Sequence, residues 1–144
     1  MRTIVTLTAA LALIAIATSC AAEVRGIGLG AGVFDGEFGV QLRKDFWLGG
    51  DISQITTQGS VYFENKTTVR FDADYHFIVN PDNPSRFYPL AGLNLAFNSD
   101  DIKLGANAGG GVNFKLTESL QAFAEAKYTF SSWEGLAITG GISF

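Results

Sequence analysis

The 144 residues include 47% apolar and 12% aromatic side chains, 17 glycines and only three prolines, which excludes a disordered, linker-like or collagen-like chain and fits one domain. Fourteen Asp and Glu against ten Lys and Arg leave a net charge of −4. The basic residues are scattered, so nucleic acid is excluded as a partner for want of a positive stripe.

The chain opens with a targeting pattern. Arg2 and the amino terminus form a short positive region, and Ile4 to Thr18 is an apolar stretch of the length of a secretory core, shorter than a bilayer-spanning helix. Small residues in "SCAA" (19–22) suit a signal peptidase, so residues 1–21 are expected to be a cleaved signal peptide and 22–144 the barrel domain described below. Cys20 keeps a second reading open. "ATSC" is like a lipoprotein box, although Ala17 stands where Leu is usual, and Cys20 would then be lipidated. Either way the chain is exported. With ordinary cleavage the mature protein has neither a disulfide nor thiol chemistry.

From Glu23 onward no segment has a 3.6-residue period, whereas period-2 alternation recurs almost without a break. It predicts strands at about 24–34, 37–46, 48–57, 61–79, 86–98, 102–116, 119–131 and 135–144. In the fourth, Val69, Phe71, Ala73, Tyr75 and Phe77 oppose Arg70, Asp72, Asp74 and His76. The sixth sets Leu104, Ala106, Ala108, Val112 and Phe114 against Lys103, Asn107, Asn113 and Lys115. The seventh sets Ala122, Ala124, Ala126, Tyr128 and Phe130 against Gln121, Phe123, Glu125, Lys127 and Thr129. One face is apolar and the other carries charge.

Turn residues mark tight reversals between antiparallel strands: "FDGE" (34–37), "TTQGSVYFENKT" (57–68), "NSDD" (98–101) and "SSWEG" (131–135) at one end, with "RKDF" (43–46), "NPDNPS" (80–85) and "LTES" (116–119) at the other. Strands of this length exceed those of soluble sandwiches and suit a tilted bilayer crossing. Hydrocarbon requires every backbone amide to be paired, so such a sheet must close. The fold expected is all-β, an eight-stranded antiparallel up-and-down transmembrane β-barrel. Aromatic residues near strand ends, including Phe46, Trp47, Tyr62, Phe63, Phe87, Tyr88 and Trp133, match interfacial girdles.

The whole mature chain resembles the small outer-membrane β-barrel proteins of Gram-negative bacteria, the group of OmpX, the OmpA membrane domain and the opacity-type barrels. The resemblance rests on the signal peptide, the eight amphipathic strands, "GGGVNFKLTESLQAFAEAKYTF" (109–130) and the closing "GLAITGGISF". It implies an outer-membrane location, contact with outer-membrane lipid, a monomer, and an assembly signal in Leu136, Ile138, Ile142 and Phe144 read by the barrel-assembly machinery. The short loops depart from members whose long loops bind surface ligands.

The polar face is expected to fill the lumen with a mixed-sign network of Glu37, Arg43, Arg70, Asp72, Asp74, Lys103, Lys115, Glu125 and Lys127, together with Asp51. An eight-stranded barrel is only wide enough for its own side chains, so no open porin is expected. His76, the one histidine, stands beside Asp72 and Asp74 without a Cys or second His to complete a metal site, and is read as structural. No catalytic, cofactor or metal site is expected, and the chain is read as no enzyme. Gly26, Gly28, Gly30 and Gly32 keep a spacing of two with no helix following, which is lumen packing and not a phosphate loop; they are expected to make room for charged chains from opposite strands. "NKT" (65–67) carries no weight as a sequon. Alternation alone leaves a second architecture open, a secreted or lipid-anchored lipocalin-like barrel with the apolar face inward around a small apolar ligand. A lipid-modifying membrane enzyme is the third reading.

Overall fold

The computed structural model describes residues 26–48, 50–63, 67–131 and 133–144. The expected signal peptide with Cys20, and most of the "NKT" stretch, lie outside the described residues. Eight strands follow in order: β1 (Ile27–Phe34), β2 (Glu37–Trp47), β3 (Ser53–Tyr62), β4 (Thr68–Phe77), β5 (Ser85–Phe97), β6 (Ile102–Lys115), β7 (Gln121–Phe130) and β8 (Gly135–Ser143). Each pairs antiparallel with the next. β8 returns to β1 through a register running from Gly28 opposite Ser143 to Phe34 opposite Ala137, so the barrel is closed. The Gly26 amide adds a bond to the carbonyl of Phe144 and the Phe144 amide one to Ile27, extending the seam.

The two ends differ. The β1–β2, β3–β4, β5–β6 and β7–β8 connections lie at one end, the hairpin end; the β2–β3, β4–β5 and β6–β7 connections share the other end with Gly26 and Phe144. At the first turn Asp35 (φ 49°) and Gly36 (φ 92°) both have positive φ, as a two-residue hairpin with the twist of its strands requires.

Expectation and structure part at β2, β3 and β4. Residues 43–46 are not a turn: β2 runs through them to Trp47. Residues 57–68 are not a long loop, because β3 occupies Ser53–Tyr62 and pairs with Thr68–Phe77. At 43–46 Lys44 and Asp45 put charge on both faces in succession, and in β3 the inner face is polar throughout. Gln54, Thr56, Gln58 and Ser60 are buried against other polar groups, so a strand whose inner face is wholly polar has the composition of a loop.

Polarity is inverted relative to a soluble protein. Among the described residues nineteen buried side chains are polar or charged and eight are hydrophobic, while Leu104, Leu93, Val33, Phe38, Ile138 and other large apolar groups stand exposed on the outer wall. This overturns the lipocalin-like alternative, which needs the apolar face inside. An outer wall of this kind is stable only against lipid.

Lumen glycines have a defined use. A Cβ on Gly28 would strike the Arg43 side chain, one on Gly39 the Tyr62 ring, one on Gly111 the Tyr88 ring and one on Gly109 Lys127. In each case the bulky residue is the direct cross-strand neighbour of the glycine. The large chains are therefore seated on glycines of adjacent strands, not of opposite ones: a chain that must bend over its neighbour to reach the axis needs that neighbour to have no side chain.

Gly92 tests this rule. Its added Cβ would meet the backbone of Ala73 and Asp74, neither of which can yield. Gly92→Val is expected to destabilise by about 1–3 kcal/mol through overpacking, whereas Gly140→Ala, whose nearest atom lies at 3.4 Å on the outer wall, should fold normally. The folded fraction, read as the gel-mobility difference between unheated and boiled samples in detergent, checks both.

A sealed polar lumen as the candidate functional site

β4 and β7 face each other across the lumen and supply its main charges. On β4, Arg70, Asp72, Asp74 and His76 alternate inward; on β7, Glu125 and Lys127 do so. Strand alternation alone places all six on the axis.

They form two linked groups. In the group nearer the hairpin end, Arg70 Nη2 lies 2.6 Å from Asp72 Oδ1 and Lys127 Nζ 2.6 Å from Asp74 Oδ2 and 3.4 Å from Asp72 Oδ1. Asn107 of β6 ties these together: its amide nitrogen donates to Asp72 (2.7 Å) and Asp74 (2.9 Å), and its oxygen accepts from Arg70 (2.8 Å), Asn94 (2.7 Å) and Thr129 (3.2 Å). In the second group Arg43 Nη2 is 3.1 Å from Asp45, and Arg43 Nη1 is 3.4 Å from Glu125, which also accepts from the Tyr88 hydroxyl at 3.0 Å. Thr56 donates to Asp45 at 2.7 Å. Lys127 bridges the two groups, 3.8 Å from Glu125 Oε1.

Aromatic rings close the column. Phe34 packs with Trp133 (4.5 Å between centroids) and Tyr62 (5.6 Å) at the hairpin end, and the Arg70 guanidinium lies 5.2 Å from the Phe34 ring. At the other end Ile78, Tyr88 and Leu90 form an apolar cluster, Arg43 stacks on Phe123 at 4.2 Å, and Arg86 reaches over Trp47 at 6.0 Å. Arg43, Arg70, Lys127, Asp74 and His76 are each 2% exposed or less. Side chains lining an open aqueous channel would be wet; these are not, so the lumen is filled.

Of the residues expected in the network, Arg43, Arg70, Asp72, Asp74, Glu125 and Lys127 come together. Glu37 is half-buried near the hairpin end, Lys103 half-buried on the inward side of β6, and Lys115 exposed at the end of β6; Asp51 is exposed in the β2–β3 turn. Lys103, Lys115 and Asp51 lie outside the ion network. Asp45, Tyr88 and Asn107 join the network beyond the expected set: 43–46 has the composition of a turn as well as of a strand end, and Asn107, although on the expected polar face of the sixth strand, carries no charge. Continuing the period of Glu37, Gln41 and Arg43 by one step would have found Asp45.

His76 stacks on Tyr88 (4.4 Å, 9° between planes), with Nδ1 3.5 Å from the Thr56 hydroxyl and Nε2 3.9 Å from Glu125. Asp74, His76 and Glu125 could bring one donor atom each to within 4.8 Å of one another, a spacing open to a metal ion. The Lys127 ammonium already lies against both carboxylates, so the positive charge such an ion would bring is supplied by the chain itself.

A closed eight-stranded antiparallel barrel with an apolar outer wall and a charged, side-chain-filled interior has the architecture of the small outer-membrane β-barrels. Several solved structures share the fold. The N-terminal β-barrel domain of Pseudomonas aeruginosa OprF superimposes with a TM-score of 0.61 at 22% identity, over 82% of this chain and 93% of that one. The Yersinia pestis outer-membrane protein Ail, solved in a phospholipid bilayer nanodisc, gives 0.54 at 12%, over 83% and 98%. The outer-membrane enzyme PagL gives 0.52 at 11%, over 81% and 96%. No protein-family profile matches the chain, and no curated protein sequence matches it significantly.

Removing one member of a buried ion pair strands its partners, at a cost of about 3–5 kcal/mol. Lys127→Met, which leaves Asp72 and Asp74 facing each other without their shared ammonium, is expected to lower stability by about that amount, read as the urea midpoint of the barrel refolded in detergent.

Proposed function

We propose that this protein is an integral outer-membrane barrel with a structural, envelope-stabilising or surface-interaction role, exported by a signal peptide at 1–21, and neither a porin nor an enzyme. The inversion of polarity carries the reading: apolar side chains cover the outside and charges fill the inside. The short hairpin-end connections argue against recognition of a large surface ligand.

PagL shows that this fold can carry an enzyme. The non-enzymatic reading draws on His76, which is 0% exposed and stacked on Tyr88, away from any lipid substrate at the outer wall. In the last strand Leu136, Ile138 and Ile142 face outward with Phe144 beyond them, and we read these four residues as the assembly address, with outer-membrane lipid as the surrounding medium and the monomer as the working state.

Cells expressing the full chain are expected to hold it in a carbonate-resistant outer-membrane fraction, with a band that shifts on boiling. A soluble product without the shift would remove the reading. In planar bilayers the barrel should show no steady open-channel conductance. Deleting Phe144 should lower the amount of folded barrel in the membrane severalfold, and unchanged levels would dismiss its role in assembly.

A further inference from the structure

One nitrogen in the lumen is left over by the ion network. His76 is fully buried, yet its Nε2 has no hydrogen-bond partner among the described residues, and it lies 3.9 Å from Glu125 Oε2, beyond hydrogen-bond reach. A buried ring nitrogen without a partner is costly, so what it faces matters. Asp74 and His76 on β4 and Glu125 on β7 each bring one donor atom to within 4.8 Å of the other two.

Each of the three is also held by a further group, as metal ligands are. Asn107 donates to Asp74 Oδ1 at 2.9 Å, which leaves Oδ2 to the Lys127 ammonium at 2.6 Å. The Tyr88 hydroxyl donates to Glu125 Oε2 at 3.0 Å, and Glu125 Oε1 lies 3.8 Å from the same ammonium. The His76 ring stacks on Tyr88 with Nδ1 3.5 Å from the Thr56 hydroxyl, so a proton on Nδ1 leaves a lone pair on Nε2, the nitrogen nearer Glu125.

We propose that Asp74, His76 and Glu125 form a divalent-metal site of the zinc type, which the native chain keeps closed with the Lys127 ammonium. One imidazole and two carboxylates suit a four-coordinate zinc ion with one open position, whereas calcium and magnesium take oxygen donors alone. The ammonium lies against both carboxylates and supplies the positive charge between them. It leaves the imidazole unused, and Nε2 is the donor without a partner. Removing the ammonium uncovers all three donors at once.

The test refolds the full chain in detergent with and without zinc, which is added beforehand because a sealed lumen admits an ion only during folding. Zinc should leave the urea midpoint of the wild type unchanged. In Lys127→Met it should raise the folded-to-unfolded ratio at that variant's own midpoint about tenfold, as binding to the folded state alone requires at zinc about ten times its dissociation constant. Adding His76→Phe, which keeps a ring against Tyr88 and removes the nitrogen, should abolish the gain. Should Lys127→Met not fold without metal, folding restored by zinc supports the site, and Lys127→Gln repeats the comparison. No gain with zinc in either variant, an equal gain after His76→Phe, or an equal gain in the wild type would overturn the proposal.

Discussion

The pairing of β1 with β8 is the constraint on which everything else depends. In hydrocarbon an unpaired amide or carbonyl costs several kcal/mol, so an open eight-stranded sheet would leave two edges of such groups unsatisfied. Seven matched positions from Gly28 opposite Ser143 to Phe34 opposite Ala137 remove both edges at once. Closure then divides every strand into an inward and an outward face with no exceptions available at the edges. The charges of β2, β4 and β7 have no choice but to share one narrow column.

That column is a packing problem before it is an electrostatic one. Arginine, lysine, tyrosine and phenylalanine side chains must all reach the axis of a barrel of the smallest common size. Gly28 under Arg43, Gly109 under Lys127, Gly39 under Tyr62 and Gly111 under Tyr88 solve it by pairing each bulky chain with a neighbour that has none. The ion pairs then offset the cost of burying charge, since each cation lies within 3.5 Å of a carboxylate oxygen. Asn107 serves both signs because its amide donates on one side and accepts on the other. Rings at both ends keep water from competing.

Much of this was legible in the sequence, and the reason differs from one strand to another. In β4 and β7 each inward charge is flanked by outward Val, Phe, Tyr or Ala, so the period of two is visible without any structure. In β3 the outward residues Ser53, Thr57 and Gly59 are themselves polar or small, and both faces of the strand then look like loop. Asp45 disappeared into a supposed turn for a related reason: Lys44 and Asp45 put charge on both faces in succession, where alternation gives no sign.

The sequence by itself determined the strand count, the antiparallel order and the division of faces, because these follow from local alternation and turn chemistry, which act over a few residues. Which face points inward was decided by the tertiary structure, since inside and outside exist only once the sheet has closed. The partners of each charge were decided there too. Arg43 and Glu125 are 82 positions apart and Lys127 and Asp74 are 53 apart, and only the curvature and register of the barrel bring such residues within hydrogen-bond reach.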